Sequence, residues 1–112
     1  MHVQDIWTCD SAGVPKTVFI AGSYIYWKVK IVDASGNPVS GAAVTTHTTK
    51  ADGSGYDQSQ TTGADGIASF SKKTLTGDPK GTWTIAVTNV TKTGWTYNAG
   101  ANVKTQTTLT LQ

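Results

Sequence analysis

The most regular stretch of the chain is Tyr24-Ile25-Tyr26-Trp27-Lys28-Val29-Lys30-Ile31-Val32, in which Trp27, Val29 and Ile31 alternate with Lys28 and Lys30. A period of two puts the apolar set on one face, so this segment predicts a β-strand with one buried side and with Lys28 and Lys30 outward. It stops at Asp33-Ala34-Ser35-Gly36-Asn37-Pro38, a dense turn signal in which Pro38 cannot donate to a ladder. The same alternation recurs downstream. Residues 42–48 bring Ala42, Val44 and Thr46 into phase, residues 82–91 do the same for Trp83, Ile85 and Val87, and in residues 67–70 Ala68 and Phe70 point inward. Shorter strands are expected at residues 18–21, at 58–61 and beginning at Trp95-Thr96-Tyr97. A closing strand over residues 103–111 places Val103, Leu109 and Leu111 in the core. Residues 50–57 and 76–81 read as loops, and Thr62-Gly63-Ala64-Asp65-Gly66 as a tight hairpin turn.

No segment sustains helical periodicity, and no internal repeat or low-complexity linker is visible. The result is about seven or eight short strands punctuated by turn signals about every 8–12 residues, the pattern of an all-β, Greek-key β-sandwich. A length of 112 residues suits one such domain spanning residues 1–112. Composition agrees: 38% hydrophobic and only 14% charged residues argue against a disordered chain. Threonine, β-branched and strand-favouring, makes up 20 residues.

The order of motifs resembles a known family. Asp33-Ala34-Ser35-Gly36-Asn37-Pro38-Val39 followed by Gly41-Ala42-Ala43-Val44 is similar to the opening of bacterial immunoglobulin-like domains of the invasin and intimin type. Thr61-Thr62-Gly63-Ala64-Asp65-Gly66-Ile67-Ala68-Ser69-Phe70 resembles their next hairpin, and Gly81-Thr82-Trp83-Thr84-Ile85-Ala86-Val87-Thr88-Asn89-Val90 the strand after it. Met1-His2-Val3 and the late Tyr97-Asn98 step also resemble accessory domains at the C-terminal end of secreted subtilisin-like proteases and other exported hydrolases. The likeness covers about residues 1–103. It implies an immunoglobulin-like sandwich, secreted or at the cell surface, with neighbouring domains of a parent chain as partners and no catalytic residue. Some relatives carry a cysteine pair in the middle strands, which this chain lacks.

Charge narrows the chemistry. The net value is +2, every basic residue is Lys, every acidic one is Asp, and there is neither Arg nor Glu. Without the planar guanidinium fork, and with its lysines scattered, the chain does not read as a nucleic-acid binder. No run approaches the roughly 20 apolar residues of a membrane span. The start has no basic segment followed by an apolar run, so the chain reads as an excised module or mature fragment. Catalysis would need a positioned base beside a nucleophile. The inventory offers only Cys9 with His2 or His47, in no recognisable motif, so the chain is read as a non-enzyme.

Two binding chemistries remain. Asp52-Gly53-Ser54-Gly55-Tyr56-Asp57 places two carboxylates and several carbonyls in one loop, a composition that suits calcium, with Asp52 and Asp57 as ligands. No other cofactor is implied. Trp27 and Trp83 fall in phase with the core, but Tyr24, Tyr26, Trp95 and Tyr97 do not, and two or three exposed rings in a plane would stack on a polysaccharide. The function expected is thus a non-catalytic spacer or adhesion module of an exported protein. The alternative is a carbohydrate-binding module that anchors a hydrolase to polymer or to a cell-surface ligand.

Overall fold

The computed structural model describes residues 1–112. Eight strands run in the order β1 (His2–Cys9), β2 (Val18–Phe19), β3 (Tyr24–Val32), β4 (Ala43–Thr49), β5 (Gly55–Thr61), β6 (Ile67–Lys73), β7 (Gly81–Thr91) and β8 (Gln106–Leu111). They form two sheets, β1-β3-β6 and β2-β8-β7-β4-β5. Every pairing is antiparallel except that of β2 with β8. The chain changes sheet between β1 and β2, β2 and β3, β3 and β4, β5 and β6, and β6 and β7. That is the all-β, Greek-key β-sandwich the alternation predicts.

The core is what the alternating positions supply. Ile25, Trp27, Val29 and Ile31 of β3 and Ala68 and Phe70 of β6 face Val44, Trp83, Ile85, Val90 and Leu109 across the gap between the sheets. Trp27 and Phe70 are cross-strand neighbours and stack at 5.3 Å with their planes 4° apart. The indole N–H of Trp27 crosses to the other sheet and donates to Thr46 Oγ1 at 3.2 Å. Two β-bulges reset the phase. In β1 the register shifts between Val3 and Asp5, so the buried set reads Val3, Ile6, Thr8. In β7 it shifts opposite Thr45 and Thr46, so burial moves from Trp83 and Ile85 to Val90. A bulge adds one residue to one strand, which moves every later side chain to the opposite face.

Four expectations need correction. Strand β1 is an additional strand that the alternation did not predict, because its bulge breaks the period and its outer face is itself apolar at Trp7 and Cys9. The loop expected at residues 50–57 is shorter, since β5 begins at Gly55. Trp95-Thr96-Tyr97 is not a strand but a turn and an extended link into a short 3-10 helix at Ala99–Ala101. Val103 is 66% exposed and precedes β8. Its backbone N–H is bonded to the Val3 carbonyl, so the segment is held by its main chain and the side chain is left in solvent.

The sandwich has two poles. Gly81, where β7 starts, pairs with Leu111, so residue 112 lies at that pole with Tyr24, Lys73 and Thr49. β7 ends at Thr91 at the other pole, where the N–H of Asn98 bonds to the Met1 carbonyl and the Met1 amine to the Thr96 carbonyl at 3.0 Å. The first and last residues therefore sit at opposite ends of a body measuring 43 × 27 × 20 Å.

Candidate functional site

Five of the seven aspartates shape turns. Asp10 Oδ1 accepts the N–H groups of Ala12 and Val14 at 2.9 and 3.0 Å, and Asp33 Oδ1 those of Ser35 and Asn37, both at 2.9 Å. Asp52 Oδ1 accepts from the Ser54 N–H and hydroxyl, and Asp65 Oδ1 from the Ile67 N–H. Asp78 accepts the Leu75 N–H at 2.7 Å and the Lys50 ammonium at 3.1 Å. These bonds favour the ionised form. The Asn37 N–H draws the Asp33 carboxyl below its ordinary range, Ser54 does so for Asp52, and the Leu75 N–H followed by Lys50 for Asp78.

The two carboxylates expected to hold calcium point to different partners. Asp52 is turned into its own turn, whereas Asp57 lies on β5 directly opposite His47 of β4, its Oδ1 2.7 Å from His47 Nδ1. His47 faces outward from the five-stranded sheet. Cys9 pairs with Tyr26 on the three-stranded sheet, and His2 lies at the far end of β1 from it, so neither histidine stands beside the thiol. Cys9 is 1% exposed, and burial pushes its thiol pKa up against the opposing pull of Lys28.

The four aromatic candidates form two groups at opposite poles. Trp95 and Tyr97 border an open groove of about 740 Å³ near Thr91. Trp95 is 43% exposed, and Lys92 Nζ covers its ring at 4.9 Å while donating to the Ser40 carbonyl. Tyr97 packs against the core and its hydroxyl accepts from Asn102 Nδ2 at 2.6 Å, an anchor for the chain between β7 and β8. Tyr24 and Tyr26 lie at the other pole, two residues apart on β3, their rings stacked with centroids 6.1 Å apart and planes at 24°. Tyr24 is 51% exposed.

Register fixes what surrounds Tyr26. On the outer face of the three-stranded sheet the cross-strand rows are Cys9–Tyr26–Ser71 and Trp7–Lys28–Ser69, with Asp5–Lys30–Ile67 on one side and Tyr24–Lys73 on the other. A cavity of about 200 Å³ opens beside Tyr26, walled by Lys28, Ser69, Ser71 and Asp10, with Cys9 at its base. Lys28 Nζ donates to Ser69 Oγ at 2.9 Å. Trp7, Ser69, Ser71 and Lys73 were not among the sequence candidates. Alternation alone gives the face of a residue within its strand but not its neighbours across the ladder, and the bulge in β1 hides that strand from a period of two. No helix is long and apolar enough to cross a membrane. No protein-family model matches the sequence, and the curated proteins include no detectable relative.

Proposed function

We propose that this chain is a non-catalytic connecting module of a larger exported bacterial protein, of the immunoglobulin-like kind its motifs resemble, with neighbouring domains attached at both ends. The observation that carries this reading is the placement of residues 1 and 112 at opposite poles of a 43 Å body. A module threaded end to end in this way sets its neighbours apart along one axis. Tension between the ends loads β1 against β3 and the parallel β2–β8 pair along their length. The β2–β8 joint is extended by bonds from Thr110 N–H to the Thr17 carbonyl, Gln112 N–H to Phe19 and Ala21 N–H to Gln112. Several parallel bonds sheared together resist more than the same bonds opened one by one. The test is single-molecule extension through residues 1 and 112. A connector gives one cooperative rupture and a gain in contour length of about 350 Å, the extended chain less its folded length. Gradual extension without a rupture peak would remove the reading.

A second reading is favoured by a separate observation, the solvent-facing Tyr24–Tyr26 pair. A polar, hydroxyl-bordered aromatic pair on a sheet face suits carbohydrate, whose apolar ring faces stack on aromatics while its hydroxyls stay hydrogen-bonded. Pull-down on cellulose, chitin and xylan, with Tyr24→Ala and Trp95→Ala in parallel, tests it and tells the two aromatic poles apart.

A further inference from the structure

We propose that the outer face of the three-stranded sheet takes an acidic polysaccharide, one carboxylated sugar unit seated between the Tyr26 ring and the Lys28 ammonium. This rests on the carbohydrate reading and leaves the connector reading untouched. Along β3 the outward residues run Tyr24, Tyr26, Lys28, Lys30. Residues two before and two after lie on opposite sides of a given side chain on the same face. Tyr24 therefore backs the Tyr26 ring on one side, and the side toward Lys28 is left to the cavity of about 200 Å³ that both residues border. One wall offers an aromatic surface for a sugar ring, the other a cation for its carboxylate, and the Ser69 and Ser71 hydroxyls face the polyhydroxylated edge.

The charge of the face sets the class of polymer. Lys28, Lys30 and Lys73 make no ion pair, and the hydrogen bond to Ser69 leaves Lys28 with two donors free. Of the two acids nearby, Asp5 lies a row beyond Lys28, where it accepts the Ile6 N–H and stands 3.9 Å from Lys104. Asp10, which walls the cavity, gives its Oδ1 to its own turn through Ala12 and Val14. A neutral glycan would leave these ammonium groups without partners, whereas a repeating carboxylate meets them at Lys28 and again toward Lys30 and Lys73. A nucleic acid fits less well. Tyr24 takes one face of the Tyr26 ring, so the pair offers one open platform rather than a run of them for successive bases, and no guanidinium fork is present for phosphate.

The experiment compares polygalacturonate with the same polymer fully methyl-esterified, and with oligo-dT, by affinity electrophoresis of the whole chain. The expected result is binding to polygalacturonate at least about tenfold tighter than to its methyl ester, weakening as salt rises through the range where the Debye length shrinks. Tyr26→Ala and Lys28→Gln should each weaken it by about tenfold. Lys73→Gln, on an exposed side chain, should weaken it by a few-fold without altering the fold, and Lys80→Gln in the loop before β7, whose ammonium is held by the Thr76 carbonyl, should change nothing. Equal affinity for acid and ester would sink the acidic specificity while sustaining the carbohydrate reading. No binding to any polysaccharide would end both. Binding unmoved by Tyr26→Ala, Lys28→Gln and Lys73→Gln would put the site elsewhere, and oligo-dT bound as tightly as polygalacturonate would make the face a general polyanion surface; either overturns the proposal.

Discussion

Trp27 in one sheet donates its indole N–H to Thr46 Oγ1 in the other, 3.2 Å away, with both side chains fully buried. This is a polar bond across a gap otherwise filled by apolar side chains, so it fixes the lateral position of one sheet against the other as well as adding energy. Removing only the acceptor leaves a buried donor with nothing to bond. Thr46→Val, close in shape, should therefore lower unfolding stability by about 1–3 kcal/mol. In a Trp27→Phe background the same substitution should cost much less, since the orphaned donor is gone. Chemical denaturation of the four proteins of this cycle measures the coupling, and a coupling near zero would show that Thr46 matters only as volume.

Two glycines separate backbone strain from steric exclusion. Gly36 and Gly66 both sit in the left-handed region, at φ 85° and 75°. A Cβ on Gly36 would meet nothing within 4 Å, whereas one on Gly66 would fall 2.6 Å from the Ile31 carbonyl oxygen and 2.9 Å from Pro38 Cβ. Gly36→Ala should cost about 1–2 kcal/mol, the left-handed penalty alone. Gly66→Ala must also push apart the β5–β6 turn and the chain beside Ile31, whose N–H is bonded to the Gly66 carbonyl. Its cost should exceed that of Gly36→Ala by at least about 1 kcal/mol. Equal losses in thermal or denaturant unfolding would mean that the turn yields freely.

The fold was legible where alternation is strict, and illegible where a bulge or a turn rule intervenes. β3, β4 and β6 follow from period two. β1 does not, because Gln4 is inserted and Trp7 and Cys9 make the outer face apolar as well. Nor was the repetition of one turn seen: residues 10–14, 33–37, 50–54 and 63–67 all close with bonds from the fourth N–H to the first carbonyl and from the first N–H to the fifth carbonyl, with a glycine of positive φ in fourth place. These are type I turns followed by a left-handed glycine. Asp-x-x-Gly serves in the first two and x-x-Asp-Gly in the last two, so two sequence patterns encode one shape. Of the candidate site, the shared face of Tyr24 and Tyr26 followed from their spacing. Trp7, Ser69 and Ser71 beside them are a consequence of register, and Tyr97 serves as an anchor through Asn102, a residue in a segment with no periodic signal.

The lone thiol gives a measurement of local opening. Cys9 is 1% exposed and its pKa is raised by burial, so the reactive thiolate is scarce and shielded in the folded state. At pH 8 its reaction with a disulfide reagent should be at least about a hundredfold slower in the native protein than in denaturant. Lys28→Gln should slow it further, since Lys28 is the group that draws the thiol pKa down. Fast native reaction would reveal that the turn at residues 10–14 lifts away from Cys9.

Acid should weaken the fold through its turns. Asp33, Asp52 and Asp78 have folded-state pKa values below the ordinary aspartate value, so each binds its proton less readily folded than unfolded. Their contribution is present in full above the unfolded value, near pH 4, and is lost as pH falls through that value toward the lower folded ones. The melting temperature should thus hold steady from neutral pH down to about pH 5 and fall below it. Asp33→Asn keeps an acceptor oxygen for the Ser35 and Asn37 N–H groups but cannot titrate, so it should flatten the acid limb and lower the neutral-pH plateau only slightly. Asp78→Asn should do more at neutral pH. It also removes the charge opposite Lys50, a side chain 23% exposed whose ammonium lies 5.5 Å from the Trp83 ring centroid, and it loosens the loop whose Pro79 carbonyl accepts the Trp83 indole N–H. Melting temperatures of the three proteins from pH 7 to pH 2.5 decide the matter. An unchanged acid limb in both variants would assign acid unfolding to the remaining aspartates.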